Sequence, residues 1–596
     1  MAKKPQTSPI LLRWSDYVPA TDVQDPLGLG LRGSARLASQ LLYCITSITP
    51  RARYFSFIPW CVFDHQQRER GRPHALGLRD GIIIREQAFT LACIAHHEGE
   101  PCSGGGLVGS RDAKTWFANG GKEAHFKTMK KFSKNPALGA YLNSVVNLGL
   151  FETDTQRPDS DEEVAHKDFT FNDIKLSALG LDLAKRFDQK AGSLSTAKQI
   201  ASKERCCSID DLAKFGKHGG LCELSHKGCV DRELLRDIFF ALVDFKVRDP
   251  EKNSHPFRRQ SLLLILELCR QFSIEKLRLN EAGFAGAVYF GEVANDESRL
   301  AVVIPPQLHD IATRWRMFYF HHFMSVAFEG LFSWLVSQLG NRGLAGATVD
   351  SLVAQLDEPG VRKNLSEILA VDLKGSFGDL TPSALCAKAG IKEGALDEVV
   401  SKSVDPGVTT LTPFAEDTLE NLIRSKEHLY SSTGLALPMI LMAVTLARYK
   451  QWETTNYGEW LAGVADPKFG HNPLLDLVPP LVTTGLTRRF DGDWWNCSWK
   501  ELTSFVLWRY VIQQHESMSY ERTDERCLLQ VERPKVVSPG RFDKIGMVNG
   551  RLGSAIQILT DLGLIEEDEN KVSHLTEEGE TFLMREMAKV VTNEVS

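Results

Sequence analysis

One order of events occurs twice in this 596-residue chain, and it limits the fold more than any other feature. The C-terminal copy reads RLGSAIQILTDLGLIEEDENKVSHLTEEGETFL, ending at Leu583. The N-terminal copy reads ALGAYLNSVVNLGLFETD, then a polar stretch, then FTFNDIKLSALGLDLAKRF, and covers Leu138–Ala184. Leu138, Leu142, Val145 and Leu148 match Leu552, Ile556, Leu559 and Leu562. Steps of four, three and three put each set on one face of a helix. Gly149 and Gly563 follow, where a helix end favours a residue that accepts positive φ. Leu150-Phe151-Glu152 and Leu564-Ile565-Glu566 then read as the start of a strand, and a second strand ends at Leu176 and Leu575. Ser177 and Thr576 are natural caps for a last helix. Gly180 and Gly579 fall inside that helix, where a strand would pass close.

Helix, hairpin and capped helix resemble the back half of a winged helix–turn–helix over about 45 residues in each copy. That resemblance implies a fold and leaves function open, because winged helices bind DNA, RNA or proteins. A winged helix that reads DNA offers polar residues on one helix and basic residues on its wing. The first copy has an uncharged helix, NPALGAYLNSVVNLG, and an acid-rich wing, TDTQRPDSDEEVAHK. In the second, Arg533, Lys535, Arg541, Lys544 and Arg551 precede or open the helix, while the wing EEDEN is acidic. Acids near phosphates repel them. The candidate phosphate contacts are therefore Arg541, Lys544 and Arg551, at a helix N-terminus whose free N–H groups already favour anions. Lys127, Lys130 and Lys131 join them. They belong to Lys122–Lys134, which holds five lysines against Glu123 and reads either as a solvated helix face or as a phosphate contact.

Twelve cysteines without regular spacing fit a reducing cytoplasm, and the N-terminus has no apolar core of the signal-peptide kind. The net charge of -6 means that any nucleic-acid contact is local. Met317–Leu339 is the most membrane-like stretch, but His321, His322, Glu329 and Gln338 make it a buried helix, so no membrane partner is expected. The length suits several domains. The expected divisions are an N-terminal helical region at 1–110, a winged-helix-like domain at 111–190 and a central helical body at 191–375. A helix–turn–helix candidate at 376–425, a helical, Trp-rich region at 426–530 and a C-terminal winged-helix domain at 531–596 complete them. The candidate at Pro382–Val400 is a third, weaker unit, and the same residues suit an ordinary helical hairpin.

Other stretches invite chemistry. Thr49-Pro50 opens a helix, RARYFSFIPWCVFDHQQRERGR, in which Pro59 predicts a kink or break. Its arginines and aromatics suit nucleic-acid stacking, but aromatics this dense more often build a core with the arginines paired. SGGGLVG at 103–109 lacks the Lys-Ser/Thr ending of a phosphate loop and reads as a plain loop. Cys206, Cys207, His218, Cys222, His226 and Cys229 lie close in sequence, and Cys207, His218, Cys222 and Cys229 are the zinc candidates. There is no CxxC pair, so no metal or other cofactor is expected. Asp244-Phe245-Lys246, at the end of DRELLRDIFFALVDFKV, is like the acid-x-lysine of restriction-type nucleases, but it reads as helix where that fold needs a strand.

DPLGLG at 25–30, LLYCITSITPRARYFSFIPW at 41–60 and the closing RLGSAIQILTDLGLI together resemble bacterial proteins of anti-phage defence and mobile-element neighbourhoods that carry winged-helix domains. The resemblance implies a subunit of a multi-gene system, working beside an enzyme on another chain. Winged helices towards both ends of a helical chain also match the arrangement of kleisin-type subunits of chromosome-organising complexes. The sequence thus predicts a mainly α, multidomain cytoplasmic protein with two winged helix–turn–helix units and a third candidate. It predicts a non-enzymatic subunit that binds DNA and partner proteins of a defence or chromosome-associated assembly. The alternative is a nuclease effector, with Asp237, Asp244 and Lys246, or His96-His97-Glu98, as its residues.

Overall fold

The computed structural model describes residues 26–29, 34–102, 104–132, 137–152, 174–245, 253–295, 298–342, 345–369, 371–388, 415–425, 431–451, 496–521, 527–532, 534–538 and 550–593. Helices dominate, and the sheets among the described residues are all two-stranded and antiparallel. The chain forms two compact units, both discontinuous in sequence. One joins Met1–Arg36 to Met317–Val548, and the other joins Leu37–Arg316 to Asn549–Ser596. Both repeat copies therefore belong to the second unit, although about 400 residues separate them.

That unit is built on two helices, α1 (Tyr54–Arg68) and α2 (Leu78–His96). They are buried on nearly every side, as expected of helices apolar all round. Helix α1 starts four residues after Pro50 and runs through Pro59 without a break. The ring removes one N–H from the ladder, but ten neighbouring residues of α1 are buried and hold the helix in place. Phe57 stacks on Phe89 at 4.1 Å between ring centroids, and Trp60 lies 5.1 Å from Phe187. The aromatics of 54–60 are thus core and offer no stacking surface to bases.

Next come strand β1 (Glu123–His125), helix α3 (Ala137–Asn147), strands β2 (Phe151–Glu152) and β3 (Lys175–Leu176), and helix α4 (Ala178–Ala191). Strand β4 (Cys206–Ser208) pairs with β1, and helix α5 (Ile209–Gly219) packs along α2. The lysine-rich stretch is therefore a strand and a turn, not a helix, as far as it is described. Helix α6 (His255–Ile274) follows. The C-terminal copy supplies helix α7 (Leu552–Asp561), strands β5 (Ile565–Glu567) and β6 (Ser573–Leu575), and helix α8 (Glu577–Asn593). Helix α8 packs on α6, with Phe582 4.6 Å from Phe240 and Glu586 bound by Arg259 at 2.9 Å.

In the other unit, the helix segment beginning at Met317 carries a buried face through Leu339. The helix itself runs from His309 to Arg342, and the division between units falls within it. Thr433–Gln451 and Trp499–Glu521 are also long and buried, the latter with a wide turn at Leu507–Ile512. His322 binds Glu420 at 3.1 Å and Arg448 binds Glu416, tying Ala415–Arg424 to its neighbours. Burial pushes the Glu420 carboxyl up, but His322 and Arg424 outweigh it and hold it down at about 2. No described helix is long and apolar enough to cross a membrane. Of the third helix–turn–helix candidate, the first helix, Pro382–Lys388, and the later Ala415–Arg424 are described; 389–414, with the turn and the second helix, lie outside the described residues.

Candidate functional site

The two copies have the same local construction, bond for bond. Gly149 and Gly563 have φ of 68° and 71° and end α3 and α7. The next N–H groups, of Leu150 and Leu564, each donate back into the helix at 3.0 Å. The hydroxyl of Ser177 donates to the Gly149 carbonyl at 2.6 Å and accepts from the Gly180 N–H at 3.0 Å. Thr576 does the same with Gly563 at 2.7 Å and Gly579 at 3.0 Å. One side chain thus closes the hairpin and caps the following helix. A Cβ on Gly180 would sit 2.0 Å from the Leu150 carbonyl oxygen, and one on Gly579 would sit 2.1 Å from that of Leu564. Only glycine allows this approach.

The segment Arg51-Ala52-Arg53 joins the copies. The Arg51 N–H donates to the Tyr141 hydroxyl of α3 at 3.2 Å. Its guanidinium binds Asp561 of α7 with Nε at 3.0 Å and Nη2 at 2.9 Å. The Ala52 N–H and the Gln557 amide also donate to Asp561, at 2.9 and 3.0 Å. Burial raises the Asp561 carboxyl, and this ring of donors works against that rise. The glycine loop after α2 has a role here: the Gly105 carbonyl accepts from Arg51 Nη1 at 2.8 Å, and Gly106 lies against the Arg51 stem. Two residues on, Arg53 holds Asp231 at 2.6 Å and the Gly219 carbonyl at 3.0 Å, with its guanidinium over Phe187. Both arginines are paired core residues. Nothing in the sequence names Asp561 or Asp231 as their partners.

This arrangement leaves little of α3 and α7 exposed. Along α7 only Gly553 is exposed, and along α3 only Asn143 and Asn147. Arg551, expected to face a phosphate, is in a left-handed conformation (φ 63°), and its Nη1 donates to the Ile45 carbonyl at 3.0 Å. Burial lowers its pKa. Arg541 and Lys544 lie outside the described residues. Lys127, Lys130 and Lys131 are exposed on the turn after β1, as is Lys122 before it, and Lys131 lies 3.6 Å from Asp80. The C-terminal hairpin is the opposite. Glu566, Glu567, Asp568, Glu569, Glu577 and Glu580 are exposed there beside a single base, Lys571.

The zinc candidates do not converge. Cys207 is buried in β4, and the Cys229 thiol donates to Asp231 at 3.1 Å and accepts from Arg53. The described part of His218 that meets Arg53 is its backbone carbonyl. No close group of ligand atoms among the described residues includes Cys207, His218 or Cys229. Cys222 is instead 3.3 Å from His97 Nε2 and shares a group with His96 and His97. Cys93 and Cys102, from α2 and the turn after it, interact electrostatically with Cys222 but do not join its close ligand group. That interaction, with Cys222 first, lowers the Cys102 thiol and pushes the Cys222 thiol up. Spacing along the chain ties Cys222 to its sequence neighbours and gives no sign of His96 and His97, 125 residues before it in the case of His97. A second group, Glu123, His125 and Cys206, is largely exposed on the β1–β4 pair.

The nuclease candidates fare no better. The helix holding Asp237 ends at Phe239, so Asp244 is not helical; Lys246 lies outside the described residues. Burial raises the Asp237 carboxyl, and neither close ligand group among the described residues pairs two carboxylates. His96 and His97 group with Cys222, without Glu98. Comparison with family models, with curated proteins and with solved structures finds no match to this chain.

Proposed function

We propose that this chain is a non-enzymatic binding subunit of a multi-protein assembly of the bacterial defence or chromosome-organising kind. In this reading its two winged-helix-like copies serve assembly and do not read base sequence. One observation carries it: α3 and α7 are spent on Arg51, through Tyr141 and Asp561, and present almost no exposed side chain. A helix so covered has no face to lay in a groove. What each copy offers outward is charge. The acidic C-terminal hairpin suits a basic protein segment and repels phosphate. The turn after β1 that bears Lys127, Lys130 and Lys131, with Lys122 just before the strand, suits a weak, sequence-tolerant hold on DNA.

The two faces are tested separately. The triple change Lys127→Glu, Lys130→Glu, Lys131→Glu is expected to abolish anisotropy binding to a duplex at low salt and to leave co-purification with the products of neighbouring genes intact. Single changes lower the salt slope by about one unit each. The triple change Glu566→Lys, Glu567→Lys, Glu569→Lys is expected to do the reverse. Unaltered DNA binding in the first and an intact complex in the second reject the respective assignments. Cleavage of DNA by the purified chain with Mg²⁺, lost in Asp244→Ala, rejects the non-enzymatic reading as a whole.

A further inference from the structure

We propose that His96, His97 and Cys222 hold a zinc-class divalent ion whose fourth position is open to water. A ring nitrogen of each histidine and the Cys222 sulfur lie within 4.8 Å of one another. All three residues are half-buried. The other such group among the described residues, Glu123, His125 and Cys206, is largely exposed on its strand pair.

The fold brings the three ligands from two places. His96 is the last residue of α2, and His97 follows it outside the helix. Inside a helix, neighbouring side chains point about 100° apart. With His97 beyond the last helical residue, the two rings come to 4.7 Å between centroids. The chain then reverses through Glu98 (φ 54°) and Gly99 (φ 106°), and the Gly99 N–H donates back to the Ile94 carbonyl at 2.9 Å. That bond fixes the helix end that carries both imidazoles. The sulfur comes from α5. A Cβ on Gly216 would sit 2.1 Å from the Ala92 carbonyl oxygen and 2.9 Å from the His96 Cβ, so glycine is what lets α5 lie against the end of α2. Three residues after α5 ends at Gly219, Cys222 opens the short helical turn Cys222–Ser225.

The donor set fits the ion. Imidazole and thiolate are donors that zinc takes, whereas calcium and magnesium take oxygen. Zinc holds sulfur at about 2.3 Å and nitrogen at about 2.0 Å, so a sulfur and a nitrogen on one tetrahedral ion lie about 3.5 Å apart. His97 Nε2 and Cys222 Sγ are 3.3 Å apart. A hydrogen bond would account for that pair alone, but not for a second imidazole nitrogen brought to the same place. Drawing the wider separations in to ligand distance takes about 1 Å of side-chain movement. Three protein ligands with one position left over is the pattern of zinc sites that keep a water.

The site has a structural consequence. The Cys222–Ser225 turn packs against α7, and the Ser225 carbonyl is held by Arg232, which also grips Glu578 of α8. An ion there would fasten the end of α2 to the seat of the C-terminal copy.

The test uses the full chain, purified without chelator or affinity metal. About one equivalent of zinc per chain is expected by elemental analysis. His96→Gln, His97→Gln and Cys222→Ser lose it, whereas His125→Gln, Cys206→Ser, Cys207→Ser and Cys229→Ser keep it. Because a ligand variant can fail to fold, the wild-type protein is also stripped and reloaded with Co²⁺. A thiolate-to-cobalt charge-transfer band together with the visible bands of a four-coordinate ion is expected. Full retention of metal in His96→Gln or Cys222→Ser, metal without a thiolate band, or no uptake of either ion by folded protein overturns the site. Loss of the metal in His125→Gln overturns it too, by placing the ion on the β1–β4 pair.

Discussion

Arg51 sits 2% exposed between the two copies, and its charge is matched by Asp561. Removing one member of such a pair leaves a buried charge without compensation, which costs about 3–5 kcal/mol. Arg51→Met or Asp561→Leu alone is therefore expected to lower unfolding stability in urea by that order. The double variant should recover much of the loss, since two apolar side chains need no partner; equal losses in all three would contradict this account. Glu86 is a second buried charge with a defined task. From α2 it accepts the Ala137 and Leu138 N–H groups at 2.9 Å each, capping α3. Burial, opposed by those two bonds, raises its pKa to about 7. A carboxyl raised in the folded state binds its proton more tightly there than in the unfolded chain. It stabilises below its unfolded pKa, near 4.5, and that contribution is lost as pH rises through about 7. Glu86→Gln, which cannot accept both N–H groups, is expected to cost about 1–2 kcal/mol. Its deficit against wild type narrows between pH 5 and pH 8 in urea melts, and a constant deficit would remove the titration from the argument.

At the scale of the element, each repeat depends on a glycine that lets a capped helix cross a carbonyl. Gly180→Ala and Gly579→Ala press a methyl on backbone oxygen, where no side chain can swing aside. Overpacking of this kind costs about 1–3 kcal/mol. Similar losses are expected at both positions, because the geometry is the same in both, and denaturant midpoints compare them directly. Much of this was legible beforehand. The four-three-three spacing, Gly149 and Gly563, and the caps Ser177 and Thr576 stand where the pattern placed them, because each follows from local backbone chemistry. The helix predicted across Lys122–Lys134 failed: pairing with Cys206–Ser208, some 80 residues on, makes Glu123–His125 a strand. Likewise Pro59 does not break α1, since burial on all sides outweighs one missing hydrogen bond.

At the scale of the whole molecule, the C-terminal 48 residues complete a unit that begins at Leu37. Arg51, Phe240, Arg259 and Arg232 all hold partners in that tail. A chain ending at Val548 would leave these groups open to water or unpaired. Calorimetry of such a truncation is expected to show the transition of this unit shifted to lower temperature and less cooperative, with the tail added in trans restoring it in part. An unchanged transition would mean that the tail is only an appendage.

The sequence by itself determined what depends on neighbours along the chain: the helical class, the repeated helix–hairpin–helix, its turns and caps, and the aromatic core of 54–60. Those features follow from periodicity, φ preference and local hydrogen bonding. Which charges meet was decided only by the tertiary structure. Arg51 finds Asp561 across 510 residues, and Cys222 meets His97 while Cys229 goes to Asp231. Ion pairs and ligand sets form between side chains that packing brings together, and that proximity leaves no periodic mark on the chain. The same reason explains why α3 and α7, legible in the sequence only as amphipathic helices, are turned inward on a shared arginine.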